Sequence, residues 1–203
     1  MRRRRGRLGI PPWILYLGAL LGASILWIYD RYYDQPPIIQ SLEGTTIRAC
    51  FTPYQKCQKL LIETIEKSTG SILVMAYYIT AEPIINALIE AKERGVTVQI
   101  IVDPSQIKKP KHLALFLEKG VDVFYDDTVA IAHNKVMVLD HQTIVSGSYN
   151  FTHSAEKRNA ENLLILYNPD LAKLYEDYWH KRKQVSTGLS QKALEAFHET
   201  MLH

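Results

Sequence analysis

Hydrophobic positions are distributed very unevenly along the chain. From Leu8 to Tyr29 the stretch "LGIPPWILYLGALLGASILWIY" holds no charged side chain. About twenty apolar residues suffice to cross the hydrocarbon core of a bilayer. Trp13, Tyr16, Trp27 and Tyr29 put aromatic rings near both ends of the run, as interfacial belts do. "DRYYDQPPIIQSLEGT" then reads as a stalk, stiffened by Pro36 and Pro37 and ended by Gly44. From Thr45 the pattern becomes regular. "TTIRACF" reads as a strand, and "TPYQKCQKLLIETIEKSTG" as a helix. Thr52 stands as its N-cap, Pro53 at the first helical position, Gln55 as the partner in a capping box, and Gly70 as its stop.

The apolar strands "SILVMAYYI", "VTVQIIVD" and "VDVFYD" follow, separated by helices from Thr80 to Gly95 and over "KPKHLALFLEKG". Strands alternating with glycine-terminated helices predict an α/β layered domain. The rhythm then changes. "HNKVMVLD", "TIVSGS" and "ENLLILY" are strands, with a short connection between the first two. A helix over "NPDLAKLYEDYWHKRKQ", a break at Gly188 and a last helix over "SQKALEAFHETMLH" complete the chain. The expected organisation is a basic flank and membrane anchor over 1–30, a stalk over 31–44, and one domain over 45–203.

Charge changes this picture little. The 203 residues carry a formal net charge of +3. Arg2, Arg3, Arg4, Arg5 and Arg7 account for all of that excess, so bulk charge makes no case for nucleic-acid binding. By the positive-inside rule the arginines stay cytoplasmic and the domain lies on the far side of the membrane. A cleaved signal peptide is the rival reading. It lacks a good small-x-small site: Leu21 precedes Ala23, and Ile25 to Ile28 prolong the apolar run. The "RRGRL" at 4–8 hints at twin-arginine export, and a plain basic flank explains it better. Two cysteines, Cys50 and Cys57, cannot make a zinc site alone. A disulfide between them suits an oxidising compartment, with two buried thiols as the alternative.

The candidate chemistry begins at "HNKVMVLD". Strand alternation puts His133 and Lys135 on one face with Met137 and Leu139, and sends Asp140 to the other. Ser148 and Asn150 lie two apart in the next segment, beside Gly147, and Glu161 opens the strand after that. An imidazole, a cation, a hydroxyl, an amide and a carboxylate suit displacement at phosphorus. Histidine can attack or shuttle a proton. Lysine and asparagine can hold non-bridging oxygens, and glutamate can orient an imidazole. Asp126 and Asp127 read as a turn rather than a metal site. Lys108, Lys109 and Lys111 form a basic cluster where α/β sheets place ligands, either a solvated loop or a grip on a substrate backbone. Lys157 and Arg158 carry the same ambiguity. One of Tyr77 and Tyr78 is expected in the core, and the other lining a groove.

From His133 to Asn150 the chain reads H-x-K-x4-D-x6-G-S-x-N. It resembles the phospholipase D superfamily, and within it the single-motif Nuc-type bacterial endonucleases, over about 45–179. The resemblance implies a mixed β-sheet flanked by helices on both faces, here preceded by one N-terminal transmembrane helix. It implies His133 as a nucleophile forming phosphohistidine, Lys135 and Asn150 as phosphate ligands supported by Ser148, Glu161 as the orienter of an imidazole, and Asp140 in a mainly structural role. It implies no metal and no cofactor. A single motif further implies a symmetric homodimer with two His133 residues at one phosphate. The favoured activity is a low-specificity endonuclease acting on DNA or RNA, anchored on the periplasmic side of a membrane. The alternative is a phospholipase D-type hydrolase of membrane phospholipids.

Overall fold

The computed structural model describes residues 16–17, 20–25, 27, 38–42, 44–108 and 110–200. Most of the expected anchor and the first part of the stalk lie outside them, as does Lys109. Among the described residues no helix is long and apolar enough to cross a membrane.

One nine-stranded sheet organises the described residues. Its strands are β1 (Ile38–Leu42), β2 (Thr45–Thr52), β3 (Ser71–Ala76), β4 (Thr97–Val102), β5 (Asp122–Tyr125), β6 (Lys135–Leu139), β7 (Thr143–Gly147), β8 (Glu161–Tyr167) and β9 (Thr187–Leu189). Their spatial order is β1-β2-β8-β7-β6-β3-β4-β5-β9. β3, β4 and β5 run parallel, linked by helical crossovers, and the other pairings are antiparallel. The helices are α1 (Cys57–Glu66), α2 (Glu82–Glu93), α3 (Lys111–Glu118), α4 (His153–Lys157), α5 (Pro169–Val185) and α6 (Gln191–Thr200).

Alternation along the strands fills two cores, one on each face of the sheet. Ile72, Val74, Met137 and Leu139 join the larger one, with Leu61, Ile84, Leu88 and Phe116 from α1, α2 and α3. Leu73, Met75, Val136 and Val138 face the smaller one under Ala172 and Trp179 of α5. The Trp179 indole donates to the Val74 carbonyl at 2.9 Å, so its one polar atom is satisfied in the core. The sheet is therefore mixed and covered by helices on both faces. Strands buried on both sides need continuous apolar runs, and β3 and β6 have them.

Four expectations need correction. The stalk gives way at Ile38 to β1, which pairs with β2. Thr52 ends β2 instead of capping a helix: α1 starts at Cys57, and its N-cap residue Lys56 makes no side-chain cap. The Gln55 side chain does reach back to a backbone N–H, but to Phe51 at 2.7 Å, closing a turn. Gly188 does separate two helices, but as part of the short strand β9, paired with Phe124, rather than as a bare break. His133 and Asn134 precede β6 and do not belong to it. The five-residue helix α4 was not foreseen. Thr152 caps it, accepting from the Ala155 amide at 3.2 Å.

Candidate active site

Register places nine strand ends on one edge of the sheet. Ala76 pairs with Lys135, Gly147 with Leu163, and Thr52 with Glu161. His133, Lys135, Ser148, Asn150 and Glu161 consequently belong to the same edge, although 28 positions separate the first from the last (161 minus 133).

His133 is exposed, just before β6. Its backbone is held from both sides. The Ala132 amide donates to Asp103 Oδ2 at 2.9 Å, and the Tyr77 amide donates to the Asn134 carbonyl at 2.7 Å. The Tyr77 ring packs beside the imidazole, with centroids 4.5 Å apart. Lys135 is 9% exposed, at the rim of the larger core. Its Nζ donates to the His133 carbonyl at 2.8 Å and lies 3.1 Å from His133 Nδ1. Burial lowers the lysine's pKa, and the nearby Glu161 charge opposes that shift.

Glu161 is fixed through both carboxylate oxygens. Oε2 accepts from the Ser148 hydroxyl at 2.5 Å, and Oε1 from the Asn159 amide at 2.8 Å. The Glu161 amide donates to Thr52 Oγ1 at 3.2 Å. Gly147 allows this arrangement. Its φ is 146°, and a Cβ there would lie 2.3 Å from the Asn162 carbonyl oxygen. Asn150 Oδ1 is buried without a hydrogen-bond partner. An orphaned buried acceptor is costly.

Asp140 lies at the opposite end of β6, with φ 52°. Its carboxylate accepts from the Ser68 hydroxyl (2.8 Å) and from the amides of Thr69 (3.0 Å), Gly70 (2.8 Å) and Ser71 (2.9 Å). Burial pushes its pKa up, and these donors outweigh that and hold it below the ordinary carboxylate range. Lys108 is exposed, and Lys111 is ion-paired with Glu82 at 3.4 Å. Cys50 and Cys57 are joined by a disulfide, with a Cα separation of 5.6 Å. Asp126 belongs to an ion pair with Arg182 of α5, whose Nε donates at 2.7 Å. Among the described residues no group of three or more histidines, cysteines or carboxylates is placed to hold a metal ion.

Sequence reasoning missed the residues that hold this edge together. Asp103 anchors the segment before His133. Buried Gln106 accepts from the Ile79 amide at 3.0 Å and donates to the Ala76 carbonyl at 3.2 Å, fixing the Tyr77–Tyr78 turn. Glu156 accepts from the Tyr149 hydroxyl at 3.1 Å and the Gln58 amide at 2.9 Å beneath the Asn150 loop. One signal was available: "VDPSQ" sets an aspartate directly after a parallel strand, at the edge where such sheets bind ligands.

Comparison with known proteins places this arrangement. Residues 61–183, more than half of the chain, match the family described as "Cardiolipin synthase, PLD-like domain". A Rickettsia prowazekii protein named phospholipase D is 39% identical over 160 residues, spanning 78% of this chain and 76% of its own. A Chlamydomonas reinhardtii mitochondrial cardiolipin hydrolase is 27% identical over 121 residues, spanning 59% of this chain and 54% of its own. The crystal structure of Nuc from Salmonella typhimurium, a phospholipase D family member, superposes with a TM-score of 0.68 at 31% identity, covering 72% of this chain and 99% of that one. The chain belongs to the phospholipase D superfamily and is a hydrolase of its phosphodiesterase type.

Proposed function

We propose that the protein hydrolyses phospholipid phosphodiesters at a membrane surface through a phosphohistidine on His133. The carrying observation is the character of the catalytic edge. It displays exposed apolar side chains: Phe51 near the end of β2, and Val129 and Ile131 in the segment before β6. An apolar rim suits acyl chains better than a polyanionic backbone. The Rickettsia relatives named phospholipase D support the same substrate class. A nucleic-acid substrate is the second reading, favoured by the likeness to Nuc and by exposed Lys108.

The reaction has two displacements. The His133 Nε2 lone pair attacks phosphorus, and the bond from phosphorus to the leaving oxygen breaks. A second imidazole gives that oxygen its proton. Water then attacks phosphorus, the same imidazole takes the water's proton, and the P–N bond breaks. Lys135 and Asn150 hold the non-bridging oxygens. A charged Lys135 donating to Nδ1 leaves a neutral imidazole with its proton on Nε2, whereas the general acid is the imidazolium, with a proton on each nitrogen. The nucleophilic form needs an acceptor at Nδ1. Both oxygens of Glu161 are occupied within this chain, so a homodimer that regroups these partners around two His133 residues is the simplest source of the two forms. The reaction needs no divalent cation.

The apolar run from Leu8 to Tyr29 serves in this reading as an uncleaved anchor, with the arginines cytoplasmic and the domain periplasmic. The Cys50–Cys57 disulfide favours such an oxidising compartment. The test uses full-length protein, wild type and His133→Ala, in excess EDTA. Substrates are phosphatidylcholine and cardiolipin vesicles, plasmid DNA and single-stranded RNA. Lipid hydrolysis that survives EDTA and vanishes in the variant is expected. Nucleic-acid cleavage without lipid hydrolysis would transfer the assignment to the second reading.

A further inference from the structure

We infer that the loop between β2 and α1 is a membrane-docking element that turns the catalytic edge toward the bilayer. The inference rests on the anchored reading above and names the surface that meets the lipid. Tyr54 of this loop and Phe51, next to the end of β2, are 48% and 44% exposed. Phe and Tyr are side chains that settle at the boundary between headgroups and acyl chains.

The loop is built to present them. The disulfide ties Cys50, the residue before Phe51, to Cys57, the first residue of α1. Both cysteines are buried, at 1% and 0% exposure, so the loop stands on a fixed base. Within it, the Phe51 amide donates to the Gln55 side chain at 2.7 Å, and the Gln55 amide donates to the Phe51 carbonyl at 2.9 Å. These two bonds satisfy the Phe51 N–H and C=O and the Gln55 N–H, which would otherwise be costly to bring against lipid. The loop also touches the active site. Thr52 Oγ1 donates to the Asn159 carbonyl at 3.1 Å and accepts from the Glu161 amide at 3.2 Å.

The path of the chain identifies the occupant as lipid. β1 is antiparallel to β2, with Ile38 opposite Ala49 and Leu42 opposite Thr45. The chain therefore enters the sheet at the catalytic edge, two residues along β2 from Phe51. Residues 30–37 alone separate that entry from the apolar run. Eight residues reach at most about 29 Å when fully extended. The Asp140 edge lies about 17 Å farther along the five-residue strand β6. Entry point and exposed aromatics share one end of the domain; with residues 8–29 as the anchor, that end, and His133 with it, faces the headgroups, where a phospholipid carries its phosphodiester.

The test is depth measurement on the full-length chain in phosphatidylcholine–phosphatidylglycerol vesicles. An environment-sensitive nitrobenzoxadiazole label is placed through Tyr54→Cys and, separately, through Thr69→Cys beside Asp140. The label at 54 is expected to shift to the blue and to be quenched by doxyl-labelled lipids, while the label at 69 stays aqueous. An aqueous signal at both positions overturns docking. Shielding at 54 that persists in detergent without vesicles, with cross-linking between copies, also overturns it and makes a second copy the occupant. In parallel, Tyr54→Ser should lower the ratio of vesicle turnover to turnover of soluble bis(4-nitrophenyl) phosphate by about fivefold. Absence of lipid hydrolysis in the wild type would sink the substrate assignment and leave the depth result to judge docking on its own.

Discussion

The two ends of β6 carry polar residues of one short motif under opposite conditions. At the Asp140 end, a carboxylate accepts from four donors and is saturated. At the other end, His133 is exposed, Lys135 is desolvated, and Asn150 Oδ1 has no partner. A protein maximising stability would satisfy both ends. The difference fits a scaffold role at one end and the proposed reaction at the other. Polar residues close in sequence can thus serve unrelated purposes once a strand sends them to opposite edges.

Substitutions can break this contrast, and the largest effect belongs to His133. His133→Ala should lower turnover on the order of 10³-fold or more while leaving the thermal midpoint nearly unchanged, since the ring is exposed. A variant that lost stability in step with activity would place His133 in the scaffold. Gly147→Ala should blur the two regions. Its Cβ meets the Asn162 carbonyl at 2.3 Å, so about 2–4 kcal/mol of stability and most activity should go together in denaturant titrations and assays.

Asp140→Ala should give the mirror image of His133→Ala. Stability falls by about 2–3 kcal/mol, while the rate per folded molecule changes little. The smallest effect is expected from pH. The Asp140 carboxyl has a folded pKa below its unfolded one. Its contribution is complete above about pH 4, the ordinary aspartate range, and is lost as pH falls through the folded pKa. Asp126, held low by Arg182 despite its burial, acts in the same direction. Acid unfolding of Asp140→Asn should therefore be shallower than that of the wild type. Equal slopes would show that Asp140 does not drive the acid limb.

The parts of the fold legible in sequence were those buried on both faces. β3 and β6 are near-continuous apolar runs, and Asn168 before Pro169 marks the start of α5, capping it through the Leu171 amide at 2.9 Å. β1 and β9 were hidden because edge strands need little apolar periodicity, and proline and glycine nearby imitate a stalk and a break. Thr52 and Gln55 misled because the capping chemistry was real but local: the glutamine closes a turn over the disulfide loop. The grouping of His133, Lys135, Ser148, Asn150 and Glu161 was legible from parity and from family likeness together. Asp103, Gln106, Asn159 and Glu156 were not, since their partners are backbone groups or side chains on other segments, whose proximity depends on tertiary packing.

The most direct test of the account follows configuration at phosphorus. A phosphodiester made chiral with sulfur and an oxygen isotope is hydrolysed by the full-length protein, and the product's configuration is read by phosphorus NMR. Two in-line displacements through His133 predict net retention. Inversion would mean that water attacks the substrate directly, and would contradict the phosphohistidine and the role given to the open end of β6.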